Sequence, residues 1–173
     1  MDAITQAQTF ATTGAMEAWS FVLSFLALLI IAAVLFGFAL RYGKSALLAL
    51  VMALYAGYAL YVVFPYSDAV LAIGAGSALM LFIAKLVMYA ILTYIPYYLI
   101  RRYGGHDYAE GHRLFVLLAA FLAAAFIIAI GYHTLGAKAA YSFTPAIDNL
   151  FAPAKYFFWW FIAPLAGVYL LVR

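Results

Sequence analysis

The chain contains apolar runs that are long enough to cross a lipid bilayer. A membrane-spanning helix needs about 20 predominantly apolar residues, and five stretches meet or approach that length: 19–40, 46–64, 77–100, 114–132 and 156–172. Because 71% of the residues are hydrophobic and only 9% are charged, a water-soluble fold could not bury this much apolar surface. The runs are continuous rather than alternating, which favours helices. They predict an all-α, polytopic transmembrane helical bundle of about five spans.

The third apolar run is too long for a single span. Apolar residues fill 69–100, about 48 Å of helix at 1.5 Å per residue, against a hydrocarbon core about 30 Å thick. Gly74 and Gly76 are the predicted break, which leaves a short piece before a span that starts near Ser77. Near the end of that span, Pro96 is a point at which the helix can bend.

Basic residues are distributed unevenly between the two sets of loops. One side carries Arg41, Lys44, Arg101, Arg102, Arg113 and Arg173, whereas the other carries Lys138 and Lys155. Cytoplasmic loops are enriched in lysine and arginine, which predicts an external N-terminus and a cytoplasmic C-terminus. Asp2 and Glu17 precede the first run without any basic residue, the reverse of a secretory signal, so that run is expected to be retained as a span.

This topology divides the chain into four parts. We expect a polar extracytoplasmic segment at 1–18, a four-span membrane core at 19–132, an extracytoplasmic connection at 133–155 and a last span at 156–173. In the connection, Thr144 before Pro145 is typical of an N-cap followed by proline at the first helical position. The residues that follow place Ile147, Leu150 and Phe151 on one face. They predict a short helix that lies in the membrane interface.

Small residues recur at a spacing that suits helix packing. Ala53 and Gly57 lie four residues apart in the second span, and Ala119 and Ala123 do so in the fourth. Because small side chains let membrane helices approach closely, these four residues are predicted packing contacts.

Lys85 is the one charged residue inside an apolar run and away from its ends. Intramembrane ionisable residues are candidates for function, and the depth of Lys85 decides between two interpretations. If the helix starts near Ser77, Lys85 is about 12 Å from that end and its amine can snorkel outward. If the helix runs unbroken from Ala69, the lysine is about 24 Å along it and needs a partner. A contact with lipid or with a partner subunit is a further alternative.

Three tyrosines share one flank of the second span at three-residue spacing: Tyr55, Tyr58 and Tyr61. Their hydroxyls need hydrogen-bond acceptors inside a bundle. They are expected either to join helices or, with Lys85, to line a hydrated path.

The connection between the third and fourth spans carries His106, Asp107, Glu110 and His112, types that can bind a metal or move protons. Asp107 and Glu110 resemble a capping box at the start of the fourth span, and the histidines match no established zinc spacing. We therefore expect no metal and no cofactor. Three flanking arginines are predicted contacts for anionic lipid headgroups: Arg101, Arg102 and Arg113.

The sequence lacks the motifs of several intramembrane enzymes. It has no cysteine, no H-E-x-x-H motif and no G-x-S-x-G motif, which argues against thiol, zinc-protease and serine chemistry. Asp68 and Asp148 could form an aspartate pair. The stretch 143–148 resembles the second aspartate region of lipoprotein signal peptidases, although the glycine and asparagine context of their first aspartate is missing around Asp68. The expectation is that the chain is not an enzyme.

The turn between the first two spans reads Arg41, Tyr42, Gly43, Lys44 and continues through the leucine-rich start 45–50. A short basic turn with glycine, an external turn, a long third span and a glycine-containing cytoplasmic connection resemble the colicin V production protein family over about 27–132. The pattern at 106–114 departs from that family, and the tail from Pro153 is an addition to it. The resemblance implies a bacterial inner membrane protein with a role in envelope processes or in toxin production and export.

Two functions from different classes follow. The first is a non-enzymatic scaffold or accessory subunit, a homo- or hetero-oligomer with other membrane proteins in the lipid bilayer. The second is a protomer of a small transporter or channel with Lys85 on its path. No nucleic-acid partner is expected, because the net charge of +3 is small and spread over loops.

Overall fold

The computed structural model describes residues 23, 25–74, 76–103, 113–140 and 144–172. Of these, 90% are helical and none lies in a strand, which confirms the predicted all-α fold. The helices are α1 (Leu26–Tyr42), α2 (Lys44–Val62), α3 (Ser67–Ile73), α4 (Ala78–Tyr103), α5 (Arg113–Ile130), α6 (Ala137–Ala140), α7 (Pro145–Phe151) and α8 (Ala154–Val172). A π-helical turn, Gly131–Leu135, extends α5.

Three helices have the length and hydropathy of membrane spans. They are α2, α4 and α5 together with its π-helical turn. The first helix, α1, is apolar but covers only 17 residues of the described chain. Association with a membrane therefore rests on three helices, and the spans assigned to α1 and α8 stay predictions. The segment 1–18 lies outside the described residues.

Helix α5 lies at the centre of the bundle. It packs along α1 on one side and along α8 on another, and it also contacts α2. Five of its alanines are completely buried: Ala120, Ala123, Ala124, Ala125 and Ala129. Their small side chains let the surrounding helices approach the α5 backbone.

Helices α2 and α4 run antiparallel. Gly57 faces Thr93, and one turn further along α2 the ring of Tyr61 lies 6.1 Å from that of Tyr89. The two ends of the bundle therefore differ in charge. The arginine end carries Arg41, Lys44, Arg101, Arg102 and Arg113, and the α7 end carries Asp68, Lys138, Asp148 and Lys155. This separation follows the predicted topology, while the choice of the cytoplasmic end stays a prediction.

The long third apolar run breaks at the predicted glycine. Helix α3 ends at Ile73, and α4 begins at Ala78 and continues through Pro96. A β-carbon at Gly74 would lie 2.7 Å from the Cα of Leu81. Because α3 folds back this closely onto α4, only glycine fits at the break.

The predicted helix after Pro145 is present as α7. Thr144 occupies its N-cap position, and Ile147 and Phe151 are buried. Whether α7 lies in the membrane interface stays a prediction. The proposed capping box and histidines at 104–112 lie outside the described residues.

Candidate functional site

Tyr55 joins α2 to α8 beside a proline. Its hydroxyl donates to the backbone carbonyl of Phe161. Pro164 lies within this turn of α8, and an internal proline removes a backbone hydrogen bond of its helix. A polar side chain from a neighbouring helix can stabilise such a turn, which gives Tyr55 a structural role.

The other aromatic side chains fill the space between helices. Tyr55 stacks on Phe126 with ring centroids 4.5 Å apart, and Tyr58 meets Phe161 at 5.4 Å. Tyr89 of α4 donates to the carbonyl of Leu54 at 2.8 Å. The tyrosine flank of α2 therefore contacts three other helices through rings and hydroxyls rather than surrounding an open channel.

Lys85 lies close to the start of α4. It precedes the buried Tyr89 by one turn and is itself half-buried. Because α4 begins at Ala78, Lys85 is about 10 Å from that end, near the shallower of the two depths considered above. At this depth its side chain can carry the ammonium toward the α7 end. Within the described ranges, no side chain forms an ion pair or hydrogen bond with it.

The small residues predicted to pack helices are all buried. Ala53 and Gly57 lie in α2, and Ala119 and Ala123 lie in α5. A β-carbon at Gly57 would lie 2.9 Å from the Cα of Thr93. A further close contact, which the sequence did not single out, is Gly167 of α8, where a β-carbon would lie 2.9 Å from Leu122.

Three polar side chains meet at the α7 end, and we call them the α7 network: Tyr132, Lys138 and Asp148. The Tyr132 hydroxyl donates to Asp148 Oδ1 at 2.7 Å, and Lys138 Nζ lies 3.4 Å from Asp148 Oδ2. Beside them, the His133 Nε2–H donates to the carbonyl of Phe151 at 2.8 Å. The network fastens α7 to the π-helical turn of α5.

The α7 network weighs against an aspartate pair. The described contacts of Asp148 are with Tyr132 and Lys138, and Asp68, an exposed residue of α3, is not among them. The Asp148 carboxylate therefore has a structural role, which is to hold α7 through Tyr132 and Lys138.

Removing the Tyr132 hydroxyl is expected to loosen α7. A hydrogen bond to a charged group contributes about 2 kcal/mol, so Tyr132→Phe should lower the free energy of unfolding by about that amount. The amides of α7 should then exchange hydrogen faster. Lys138→Met is the control, because an ion pair with a 60% exposed lysine contributes less than about 1 kcal/mol. Equal losses in the two variants would contradict this assignment.

The arginine end holds a cation–aromatic cluster. Arg102 Nη1 donates to the Tyr98 hydroxyl at 2.9 Å, and its guanidinium lies 5.9 Å and 5.8 Å from the ring centres of Tyr98 and Tyr103. Arg101 and Arg113 are exposed at the same end. Exposed guanidinium groups next to aromatic rings suit the headgroup zone of a bilayer.

Helix α4 is the least covered of the candidate spans. In the most apolar 18-residue stretch of each helix, 17% of the residues are buried in α4, against 44% in α2 and 61% in α5. The buried positions of α4 are Met88, Tyr89 and Thr93. The exposed positions of the helix, such as Ile91, Tyr94 and Ile95, face away from the bundle and are available to lipid or to another helix.

The described ranges contain no group of three or more histidine, cysteine, aspartate or glutamate side chains that could hold a metal ion. Comparison of the chain with protein-family models, with curated proteins and with solved structures found no match. The resemblance to the colicin V production family therefore stays an expectation from the sequence, and function has to be argued from the residues of this chain.

Proposed function

We propose that the chain is a non-enzymatic helical bundle of a bacterial inner membrane. It acts as a scaffold or accessory subunit in an envelope, export or toxin-production process, and it associates with a second copy or another membrane protein through α4. The observation that carries the proposal is the exposure of α4, in whose most apolar 18-residue stretch only 17% of the residues are buried.

The exposed apolar side chains of α4 are compatible both with lipid and with a partner helix. The hydroxyl of Tyr94 favours the partner helix. Tyr94 is 64% exposed and lies seven residues before Arg101, about 10 Å deeper in the membrane. Helical side chains point toward the N-terminus of their helix, so its hydroxyl points away from the arginine end. A hydroxyl in hydrocarbon without a partner costs about 2–7 kcal/mol. Among the described residues, no side chain accepts a hydrogen bond from this hydroxyl. An acceptor on a neighbouring helix would therefore remove that cost.

The loss of this one hydroxyl is expected to weaken association. Tyr94→Phe should remove about 1 kcal/mol of interhelical hydrogen bonding, which corresponds to roughly fivefold weaker binding. The measurement is the mass of the species that carries the chain in mildly solubilised native membranes, followed on dilution. Tyr169→Phe is the matched control, because Tyr169 is 66% exposed on α8. A monomer of 19.0 kDa in native membranes, or equal behaviour of the two variants, would refute the proposal.

The transporter alternative rests on the half-buried residue Lys85, which precedes Tyr89, the ring neighbour of Tyr61 in α2, by one turn. The aromatic filling of the bundle and the short distance from Lys85 to the start of α4 favour the scaffold instead. In vesicles of phosphatidylethanolamine and phosphatidylglycerol, we expect no proton or monovalent-ion flux above that of empty vesicles, with the wild type and Lys85→Met alike. A wild-type flux that Lys85→Met abolishes would establish the transporter.

The positive-inside rule supports an orientation with the arginine end in the cytoplasm. Five basic residues lie at that end, against Lys138 and Lys155 at the α7 end. In this orientation the α7 network lies on the external side, and the headgroup contacts proposed for Arg101, Arg102 and Arg113 face the anionic cytoplasmic leaflet.

A further inference from the structure

The cation–aromatic cluster at the arginine end, formed by Tyr98, Arg102 and Tyr103, sets Arg102 apart from the other arginines of this end. Its guanidinium donates to the Tyr98 hydroxyl at 2.9 Å and lies within 6 Å of the ring centres of both tyrosines, the range of a cation–π contact. Among the described residues, neither Arg101 nor Arg113 has such a contact. Two aromatic neighbours therefore hold the Arg102 guanidinium in position.

The cluster has hydrogen-bond donors that no described group uses. A guanidinium carries five N–H donors and no acceptor, and the contact with Tyr98 uses one of them. Because the Tyr98 hydroxyl accepts that bond through a lone pair, its own proton is still available. Within the described ranges, no carboxylate pairs with Arg102 and no acceptor takes the Tyr98 proton. Charged and neutral donors that converge without an acceptor suit an oxyanion.

The position of the cluster along α4 matches the depth of lipid phosphate groups. A hydrocarbon core about 30 Å thick takes about 20 helical residues, and α4 has 26. An upright α4 that enters the hydrocarbon at Ala78 therefore leaves it near Tyr97. The headgroup layer adds about 5–7 Å on each side, and the four residues from Tyr98 to Arg102 cover about 6 Å.

The charge of the arginine end favours an anionic lipid over a zwitterionic one. Asp107 and Glu110, which lie outside the described residues, are the acidic residues of the adjoining connection. Five basic residues against these two acidic ones leave an excess of three positive charges at this end: Arg41, Lys44, Arg101, Arg102 and Arg113. This excess repels the ammonium of phosphatidylethanolamine, whereas the net negative headgroup of phosphatidylglycerol is attracted.

We propose that Arg102 and Tyr98 bind the phosphate of an anionic phospholipid, such as phosphatidylglycerol. The remaining guanidinium donors bind two phosphate oxygens in the bidentate geometry that arginine favours, and the Tyr98 hydroxyl donates to the same phosphate. The ring of Tyr103 supports the guanidinium. This site rests on the proposed function only for the position of the arginine end in the cytoplasmic leaflet, and it does not depend on association through α4.

The first test measures the phospholipids that stay bound to the full chain, by native mass spectrometry from micelles with equal amounts of phosphatidylglycerol and phosphatidylethanolamine. We expect phosphatidylglycerol to bind more tightly. Tyr98→Phe removes the hydroxyl and keeps the ring, and it should weaken that binding about fivefold. Tyr103→Phe is the matched control and should leave binding unchanged, because the described contact of Tyr103 with Arg102 is through the ring. Equal binding of the two lipids would overturn the proposal.

The second test separates a specific site from a basic surface. Arg102→Gln should weaken the binding of phosphatidylglycerol about tenfold, and Arg102→Lys nearly as much, because lysine keeps the charge but lacks the planar guanidinium. Arg101→Gln should weaken it by less than about twofold, since one exposed charge contributes little. Equal losses in Arg101→Gln and Arg102→Gln would overturn the site and leave only a diffuse attraction to anionic lipid.

Two other occupants of the site have distinct signatures, neither of which we expect. Displacement of phosphatidylglycerol by millimolar glycerol phosphate would overturn the lipid in favour of a soluble phosphate. A severalfold rise in lipid binding when Asp107→Asn and Glu110→Gln are combined would mean that these carboxylates occupy Arg102, which would also overturn the proposal. Circular dichroism confirms folding of each variant. Association is measured separately with Tyr94→Phe, so failure of the lipid site and failure of the scaffold are distinguishable.

Discussion

Replacement of Gly57 by leucine is expected to separate α2 from α4 and to lower the free energy of unfolding by more than about 3 kcal/mol. A β-carbon at this position would lie 2.2 Å from Thr93 Oγ1 and 2.9 Å from Thr93 Cα. Rotation of the threonine side chain relieves the first contact, but only a shift of the helix relieves the second. The measurement is reversible unfolding in mixed micelles, followed by circular dichroism.

Gly37→Leu is the matched control for this prediction. Gly37 lies in α1, and a β-carbon there would meet nothing within 4 Å. Leucine also has the higher helix propensity, so this variant should be as stable as the wild type. Thr93→Ala should restore only part of the stability of the Gly57→Leu variant, because the backbone contact remains. Equal stability of the two leucine variants would show that α2 and α4 do not approach as closely as described.

The buried Thr93 hydroxyl has no hydrogen-bond partner among the described residues. It lies against Gly57, where the bare Cα can supply a weak C–H···O contact. At Gly57 and Thr93 the α2–α4 contact therefore depends on close packing. The strong polar interaction described between these helices is the neighbouring hydrogen bond from Tyr89 to the carbonyl of Leu54. The dependence on close packing explains why the size of the residue at position 57 is expected to matter so much.

The positions of the helices could be predicted because their causes are local. A backbone in hydrocarbon must satisfy its hydrogen bonds within each helix, so the apolar run 46–64 predicts a helix whose position and length are close to those of the observed Lys44–Val62. Gly74 ends α3, and Thr144 with Pro145 begins α7, for reasons contained in a few neighbouring residues.

The contacts between helices could not be predicted in the same way. Tyr132 and Asp148 are 16 residues apart, and they meet because the π-helical turn after Ile130 and the left-handed Gly136, with φ of 75°, redirect the chain. Gly136 indicates locally that the chain can turn, but it does not indicate which residues the turn brings together. The sequence alone allows Asp148 to pair with Asp68, whereas the described contacts of Asp148 are with Tyr132 and Lys138.

Burial also escapes prediction when a helix is apolar on all sides. Hydropathy alone does not distinguish α5, which is the most buried candidate span, from α4, which is the least buried. The alanines of α5 gave a partial signal, because small residues mark helices that others approach. By contrast, the exposed positions of α4 carry large residues, such as Ile91 and Tyr94. These residues belong to the surface that we propose for association.

Replacement of Phe126 by alanine is expected to lower the free energy of unfolding by about 3 kcal/mol. The ring is completely buried, stacks on Tyr55 at 4.5 Å and meets Phe161 edge-on at 5.4 Å. Helix association in a membrane depends on van der Waals packing more than on the exclusion of water, and alanine would remove the packing on both sides of the ring. Tyr55 would then lose the surface that positions its hydroxyl against α8.

Phe158→Ala separates this effect from a general loss of aromatic surface. Phe158 is 59% exposed on α8, so its truncation should change stability by less than about 0.5 kcal/mol. Combining Phe126→Ala with Tyr55→Phe should cost less than the sum of the two single changes, because both residues act on the same contact between α2 and α8. Additive losses would instead mean that Phe126 stabilises α5 independently of Tyr55. The hydrogen bond from Tyr55 to the carbonyl of Phe161 would then hold α2 against α8 without support from the Phe126 ring.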